Sequence, residues 1–457
     1  MSRIKFIFPA IGVIAFSAVS TAALAGRNLP GHVASYGRAA VAKPLVLAQS
    51  RPLSSSLQQR VEKLTGQLNS NPRNADLLNK RGLLYFRGRD YSRALADFNA
   101  ALAARPDFHQ ALNNRAQTYY NQRKYDEAIT DWTRVIAMRP DEARYRVRRA
   151  LAYIRAGKRP DALADYGKAI DLKPKNARYR VRRGNLYLQM RDNTRALEDY
   201  TKAIALNPKY AYAYYSRAWI RRERTRELEL ALADYSRSID LNPKFTAAWY
   251  ERGLVHEKRR DWNKAMLDFG RAIQNVPRLA KYRVARGRTY LRLEKYDLAA
   301  ADYAVAVSRQ GNNASYLNQY AWALFKAGKG EQGLASINKA LKLKPKNAAF
   351  WDTRAHIHEA GGRIKLAVAD YEEARRLNPN LRESRDALDR LRRGGNTGAG
   401  SSRGAGSGIA VSGAKPPPAN TITEKPRQRR STWTPPSGPV EATSPAAAGD
   451  PTAPVAQ

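Results

Sequence analysis

Eight arginines in this chain each stand sixteen residues before an aspartate, or seventeen in one case. The pairs are Arg81 and Asp97, Arg115 and Asp131, Arg149 and Asp165, Arg183 and Asp199, Arg217 and Asp234, Arg252 and Asp268, Arg286 and Asp302, and Arg354 and Asp370. A guanidinium is a rigid fork of donors that fits a carboxylate two bonds at a time, so this recurrence predicts ion pairing rather than catalysis. Both series lapse together, at Tyr320 and Ser336, as partners should. The expected role is structural, with Arg149–Asp165 and Arg183–Asp199 as the central examples.

Other reactive chemistry is sparse. The chain has no cysteine, which removes disulfides, thiolate nucleophiles and cysteine metal sites. Of the five histidines, His32, His109, His256, His356 and His358, two replace a recurring tyrosine: His256 and His358 stand where Tyr85, Tyr119, Tyr153, Tyr187 and Tyr290 stand elsewhere. Packing accounts for them. His356 and His358 are two residues apart and do not share a helical face. No HExxH pattern occurs, and AGKG at 327–330 lacks the spacing of a phosphate loop. No catalytic residue, metal or cofactor is expected, and the chain is not read as an enzyme.

The elements that must hold these residues repeat. Prolines recur at Pro72, Pro106, Pro140, Pro174, Pro208, Pro243, Pro277, Pro345 and Pro379, with Gly311 standing in once. The spacing is 34 residues except for a single 35 between Pro208 and Pro243. Counting positions from Ala75, position 8 is always alanine or glycine (Gly82, Ala116, Ala150, Gly184 and onward), and so is position 20. Position 24 is large: Phe98, Trp132, Tyr166, Tyr200, Tyr235, Phe269, Tyr303, Ile337 and Tyr371. Offsets of four and seven put positions 20, 24 and 27 on one helical face, and the proline ends that helix. Each unit therefore predicts two helices that approach closely at small residues. A fixed period of this length predicts a stack of such units rather than one globular core.

The pattern of small, tyrosine, alanine, aromatic, alanine and proline at positions 8, 11, 20, 24, 27 and 32 resembles the tetratricopeptide repeat. The resemblance covers nine units over residues 75–381, about two-thirds of the chain. It implies an all-α, right-handed superhelical solenoid of antiparallel helix pairs whose first helices line a concave, peptide-sized groove. Positions 2, 5, 6, 9, 12 and 13 line that groove in the family. Here they include Asn114, Arg144, Arg148 and Arg155, then Arg178 and Arg182, then an aromatic wall of Tyr212, Tyr215, Trp219 and Tyr250, then Lys281, Arg288 and Arg292. Asn114, Arg144 and Arg148 also match positions of the family's two-carboxylate clamp. The first repeat departs from that clamp, with Asn79 and Leu83 where it has lysine and asparagine.

Around the repeats, the ends have a different composition. Arg3 and Lys5, an apolar run over 6–19 and Ala23, Leu24, Ala25 read as a cleavable signal peptide over 1–25, with an uncleaved anchor as the alternative. Residues 26–56 read as a linker, 57–74 as an N-terminal capping helix, 382–393 as a C-terminal capping helix, and 394–457 as a Gly/Ser/Pro/Ala-rich disordered tail. The chain is strongly basic, 81 Lys and Arg against 40 Asp and Glu, giving +41 over 457 residues. That imbalance favours anionic partners.

Together these features predict an exported binding scaffold, periplasmic or secreted in a bacterium, that takes a protein or peptide partner, expected to be acidic, in its groove. The alternative is a polyanion binder for an anionic glycolipid or membrane surface; nucleic acid becomes a candidate only for a chain retained in the cytoplasm.

Overall fold

A computed structural model describes residues 53–396, with side chains to 393. The signal-peptide expectation, most of the linker and the tail beyond 396 lie outside the described residues. Within them the chain forms twenty α-helices and one short π-helical segment, with no strand. Helix α1 spans Ser55–Ser70, and nine pairs follow, from α2 (Ala75–Arg87) and α3 (Tyr91–Ala104) to α18 (Ala348–Ala360) and α19 (Ile364–Leu377). Helix α20, Arg382–Asn396, closes the series. The described residues therefore form an all-α solenoid of stacked helix pairs. Helix α1 begins inside the stretch read as linker, and α20 runs three residues past the expected capping segment.

Packing within a pair follows from the small and large positions. Trp132, Tyr166, Tyr200, Tyr235, Tyr303, Tyr371, Phe98 and Phe269, all at position 24, are among the largest fully buried side chains. Each lies against the small residue at position 8. A Cβ added to Gly184 would sit 2.8 Å from Cε1 of Tyr200, and one added to Gly82 would sit 2.7 Å from Cε1 of Phe98, so in these pairs the aromatic ring occupies the space a side chain would need.

Cores are shared between neighbours rather than pooled. Tyr215 and Ala218 of the fifth unit's first helix, Ala231, Tyr235 and Ile239 of its second, and Ala248 and Val255 of the next unit form one cluster. A unit alone leaves part of this surface bare, and stacking buries it.

The turn between the two helices of every unit carries one residue in the left-handed region. Those residues are Arg89, Arg123, Arg191, Arg226, Arg260 and Glu294, with φ from 56° to 65°, and Gly157, Gly328 and Gly362. The fifth unit contains the extra residue implied by its 35-residue spacing. Its first helix, α10 (Ala211–Ile220), passes into a π-helical turn at Arg221–Thr225 before α11 (Leu228–Leu241) resumes the register. A π turn takes up an additional residue without breaking the helix pair.

Candidate functional site

All eight arginine–aspartate pairs form across the two helices of a unit. Arg149 donates from Nε and Nη2 to the two oxygens of Asp165, at 2.8 and 2.7 Å. Arg183 grips Asp199 in the same way at 2.8 and 2.9 Å. The remaining six have the same two-bond geometry, including Arg217 with Asp234, where the π turn absorbs the extra residue. The aspartates are almost fully buried and the arginines partly so, as in Arg149 and Asp165, whose side chains are 15% and 4% exposed.

Two features of this network lay beyond the sequence reading. In six of the eight pairs the remaining guanidinium nitrogen reaches back to position 25 before the unit, as in Arg149 Nη1 to Thr133 at 2.9 Å, Arg115 to Asn99 at 2.8 Å, and Arg252 to Ser236 at 3.0 Å. The arginine is thus a bridge between units as well as within one. In the eighth unit arginine, aspartate and this acceptor are all missing, as Tyr320, Ser336 and Ala304. A second arginine, at position 4, also approaches the aspartate in three units: Arg146 and Arg180 at 3.9 Å and Arg283 at 3.2 Å. The signal for it was present, since arginine occupies position 4 in those three units and in no other.

The polar tips of the buried rings emerge beneath the residues expected on the groove face. Trp132 Nε1 donates to Asn113 Oδ1 at 3.2 Å, and Arg148 Nη1 donates to the same oxygen at 3.0 Å. Arg148 has no carboxylate within ion-pair distance among the described residues. Burial pushes its guanidinium pKa below the ordinary value, and the charge of Arg144 adds to that. Arg144 is exposed, lies over the Tyr145 ring with its Cζ 4.9 Å from the centroid, and meets Glu142 at 3.3 Å. Arg182 is exposed and its charge opposes the burial that raises the Tyr166 hydroxyl pKa to about 12. Tyr179 feels both Arg182 and Arg144. The third and fourth units therefore bring Arg144, Arg148 and Arg182 around Tyr145, Tyr166 and Tyr179.

Nearby, Asn114 Nδ2 donates to Asn79 Oδ1 at 2.9 Å, linking the first and second units. Arg155 is exposed, and the neighbouring Tyr120 raises its guanidinium pKa above the ordinary value. Arg178 lines a cavity of about 720 Å³ with Lys173, Lys175 and Asn207, at the loop edge of the fourth unit.

The aromatic wall is only partly a wall. Tyr215, expected to face a ligand, is 3% exposed and belongs to the core, its ring 4.8 Å from Phe245 and 5.9 Å from Tyr235. That is a correction: the helix presents this position to the next unit's entry loop. Tyr212 is half-buried, stacks on Phe245 and has its pKa raised by burial to about 12. Trp219 is half-buried, with the Arg224 guanidinium 5.5 Å from its ring. Tyr250 packs 5.1 Å from Tyr282, with Lys281 Nζ 5.0 Å from its centroid.

In the seventh unit Arg288 is a second correction. Its Nε and Nη2 are bound at 2.5 Å to the two oxygens of Glu257 in the unit before, so it braces the stack instead of offering a free fork. Arg292 is exposed and stands apart from the third-unit cluster. Sign changes along the face at the sixth unit, where half-buried Glu251 meets Arg222 from the π turn at 2.6 Å. Burial raises the Glu251 pKa, with Arg222 opposing.

Among the described residues no group of three or more His, Asp or Glu is placed to hold a metal ion, and no helix is long and apolar enough to cross a membrane.

The tetratricopeptide repeat family model matches residues 68–109, 79–143, 113–177, 220–280, 250–316, 284–348 and 320–382, and a second tetratricopeptide repeat model matches 177–210. No curated protein matches the chain. Among solved structures, it is similar to Pseudomonas aeruginosa pilF (18% identity, 47% of this chain and 98% of that one, TM-score 0.41). It is also similar to YrrB, described as having an unusual peptide-binding site (22%, 42% and 99%, 0.40), and to a repeat protein from Parabacteroides merdae (20%, 55% and 98%, 0.39).

Proposed function

The chain belongs to the tetratricopeptide repeat family, and from that premise we propose that it is a non-catalytic scaffold that binds an acidic peptide or protein segment on the first-helix face of its second to fourth units. The observation that carries this reading is Arg148. It is a largely buried cation fixed by Asn113, with Arg144 beside it and no carboxylate of its own among the described residues. Its neighbour Arg149 is fully matched by Asp165. An unmatched buried charge is costly, and an incoming carboxylate would relieve that cost with charge-assisted hydrogen bonds. Tyr212 and Tyr250 offer half-buried ring surface further along the same face, against which a peptide's side chains would pack.

The N-terminal basic and apolar segment supports export as the setting, with the periplasm or the outside of a bacterial cell as the place of action and an envelope protein as the partner. The second reading, a polyanion such as an anionic glycolipid, membrane surface or nucleic acid, is favoured by the net charge of +41.

Salt separates the two. A glutamate-rich peptide carrying one tyrosine is titrated into the full chain in parallel with duplex DNA and with anionic lipid vesicles. The proposal expects peptide binding that survives physiological salt. Phosphate-driven binding to duplex loses affinity with a log-log slope of roughly 0.9 per phosphate neutralised. Binding of duplex or vesicles alone would overturn the peptide reading.

A further inference from the structure

Among the described residues, helix α1 has the pattern of a second helix with no first helix before it. Counting back from Pro72 places Arg60, Lys63, Leu64 and Gln67 at positions 20, 23, 24 and 27. In the complete units the second helix turns these positions onto its own first helix, where they read mostly alanine, aspartate, a large ring and alanine. Among the described residues no helix precedes α1 to cover that face. Val61 and Leu68 are buried and Thr65 accepts from Arg81, whereas Arg60, Lys63 and Gln67 are exposed and Leu64 half-buried. Between this face and α2 lies a cavity of about 400 Å³ lined by Leu64, Leu83 and Leu84 and by four cations, Arg60, Lys63, Lys80 and Arg87. Among the described residues no acidic one lines it. None of the four cations has a carboxylate partner among the described residues.

We propose that this cavity is a docking site for an acidic amphipathic helix of a partner protein, seated where the first helix of one more unit would lie. The leucines supply an apolar floor for the helix's apolar stripe, and the ring of cations meets acidic residues flanking that stripe. Charge decides among possible occupants. Position 23, aspartate in eight units, is Lys63 here, so a first helix of a second copy would bring its position-7 arginine against a lysine. The chain's own residues 26–52 contain four basic residues, Arg27, Arg38, Lys43 and Arg51, and no acidic one, so they offer these cations no opposite charge. A helix of opposite sign is the complementary occupant. This surface is separate from the Arg148 cluster and does not depend on it.

The test uses the full chain and a labelled peptide of about five helical turns, with leucines on one face and glutamates flanking them, read by fluorescence anisotropy at physiological salt. A counterpart peptide carries lysine in place of glutamate. Lys63 and Lys80 are exposed, so the double variant Lys63→Glu, Lys80→Glu retains the fold, checked by circular dichroism. It is expected to bind the acidic peptide at least about tenfold more weakly than the parent chain. Unchanged binding by the double variant, or equal binding of the lysine peptide, overturns the proposal. So does a gain of about tenfold on deleting residues 26–52, which would make that segment the occupant. Sedimentation showing self-association that the double variant abolishes would make the occupant a second copy, and would overturn it as well.

Discussion

Arg183 holds both carboxylate oxygens of Asp199, and its third nitrogen, Nη1, lies 4.0 Å from the point where a side chain on Gly167 would begin. In six other units the matching position holds threonine, serine or asparagine and accepts a bond from that nitrogen. One interaction thus ties three helices, and two of its three contacts explain why a basic chain keeps a buried aspartate in nearly every unit.

Asp199→Asn removes the charge and leaves Arg183 half-buried and unmatched, with Arg180 only 3.9 Å from the same carboxylate. Breaking a buried pair in this way costs roughly 3 to 5 kcal/mol. Denaturant titration should show a loss of that order. A loss under about 1 kcal/mol would mean the pair behaves as an exposed one.

Gly167→Ser should stabilise the chain. A hydroxyl one bond beyond the new Cβ comes within hydrogen-bond reach of Arg183 Nη1, and glycine inside a helix is itself unfavourable. The two effects sum to about 1 kcal/mol or slightly more. Gly167→Ala gauges the helix-propensity part, and because serine is itself about 0.5 kcal/mol poorer than alanine in a helix, a serine variant that falls short of alanine by that full amount would rule out the bond.

Arg191 adopts φ 65° in a turn where Gly157, Gly328 and Gly362 adopt the same geometry. A side chain pays about 1 kcal/mol in that region, so Arg191→Gly should raise the melting temperature and Gly157→Ala should lower it. Opposite signs would mean the arginine side chain holds the turn through contacts of its own.

Tyr166 is buried, which raises its pKa from 10.0 to about 12, opposed by Arg182. The unfolded chain gives up this proton near pH 10 while the folded chain keeps it. Between about pH 10 and 12 the folded state therefore binds more protons, and stability falls as pH rises. The fall attributable to this ring is about 3 kcal/mol, at 1.36 kcal/mol per pKa unit. Tyr166→Phe should flatten alkaline unfolding over that window. A profile as steep as the parent's would show that the hydroxyl ionises normally.

The fold was legible because the signal is repeated: small residues, a large ring and a proline at one period leave few alternatives. The single 35-residue spacing marked the unit with an extra residue but not the π turn at Arg221–Thr225 that absorbs it. The arginine–aspartate pairs were legible for the same reason. The candidate site was less so. Helical spacing places Tyr215 and Arg288 on the expected face, yet whether such a residue meets solvent depends on its neighbour in the next unit. Phe245 covers the first, and Glu257 captures the second. Glu257 at position 12 and Arg288 at position 9 of the following unit are opposite in sign, and a cross-repeat comparison of charges would have found them.

The most direct test of the central claim is binding of a glutamate-rich peptide, measured by calorimetry at physiological salt, to the full chain and to Arg148→Gln, Arg182→Gln. The account predicts that the double variant loses binding, by tenfold or more, while keeping the parent's melting temperature or exceeding it, because an unmatched buried charge has been removed. Equal affinity in parent and variant would contradict it.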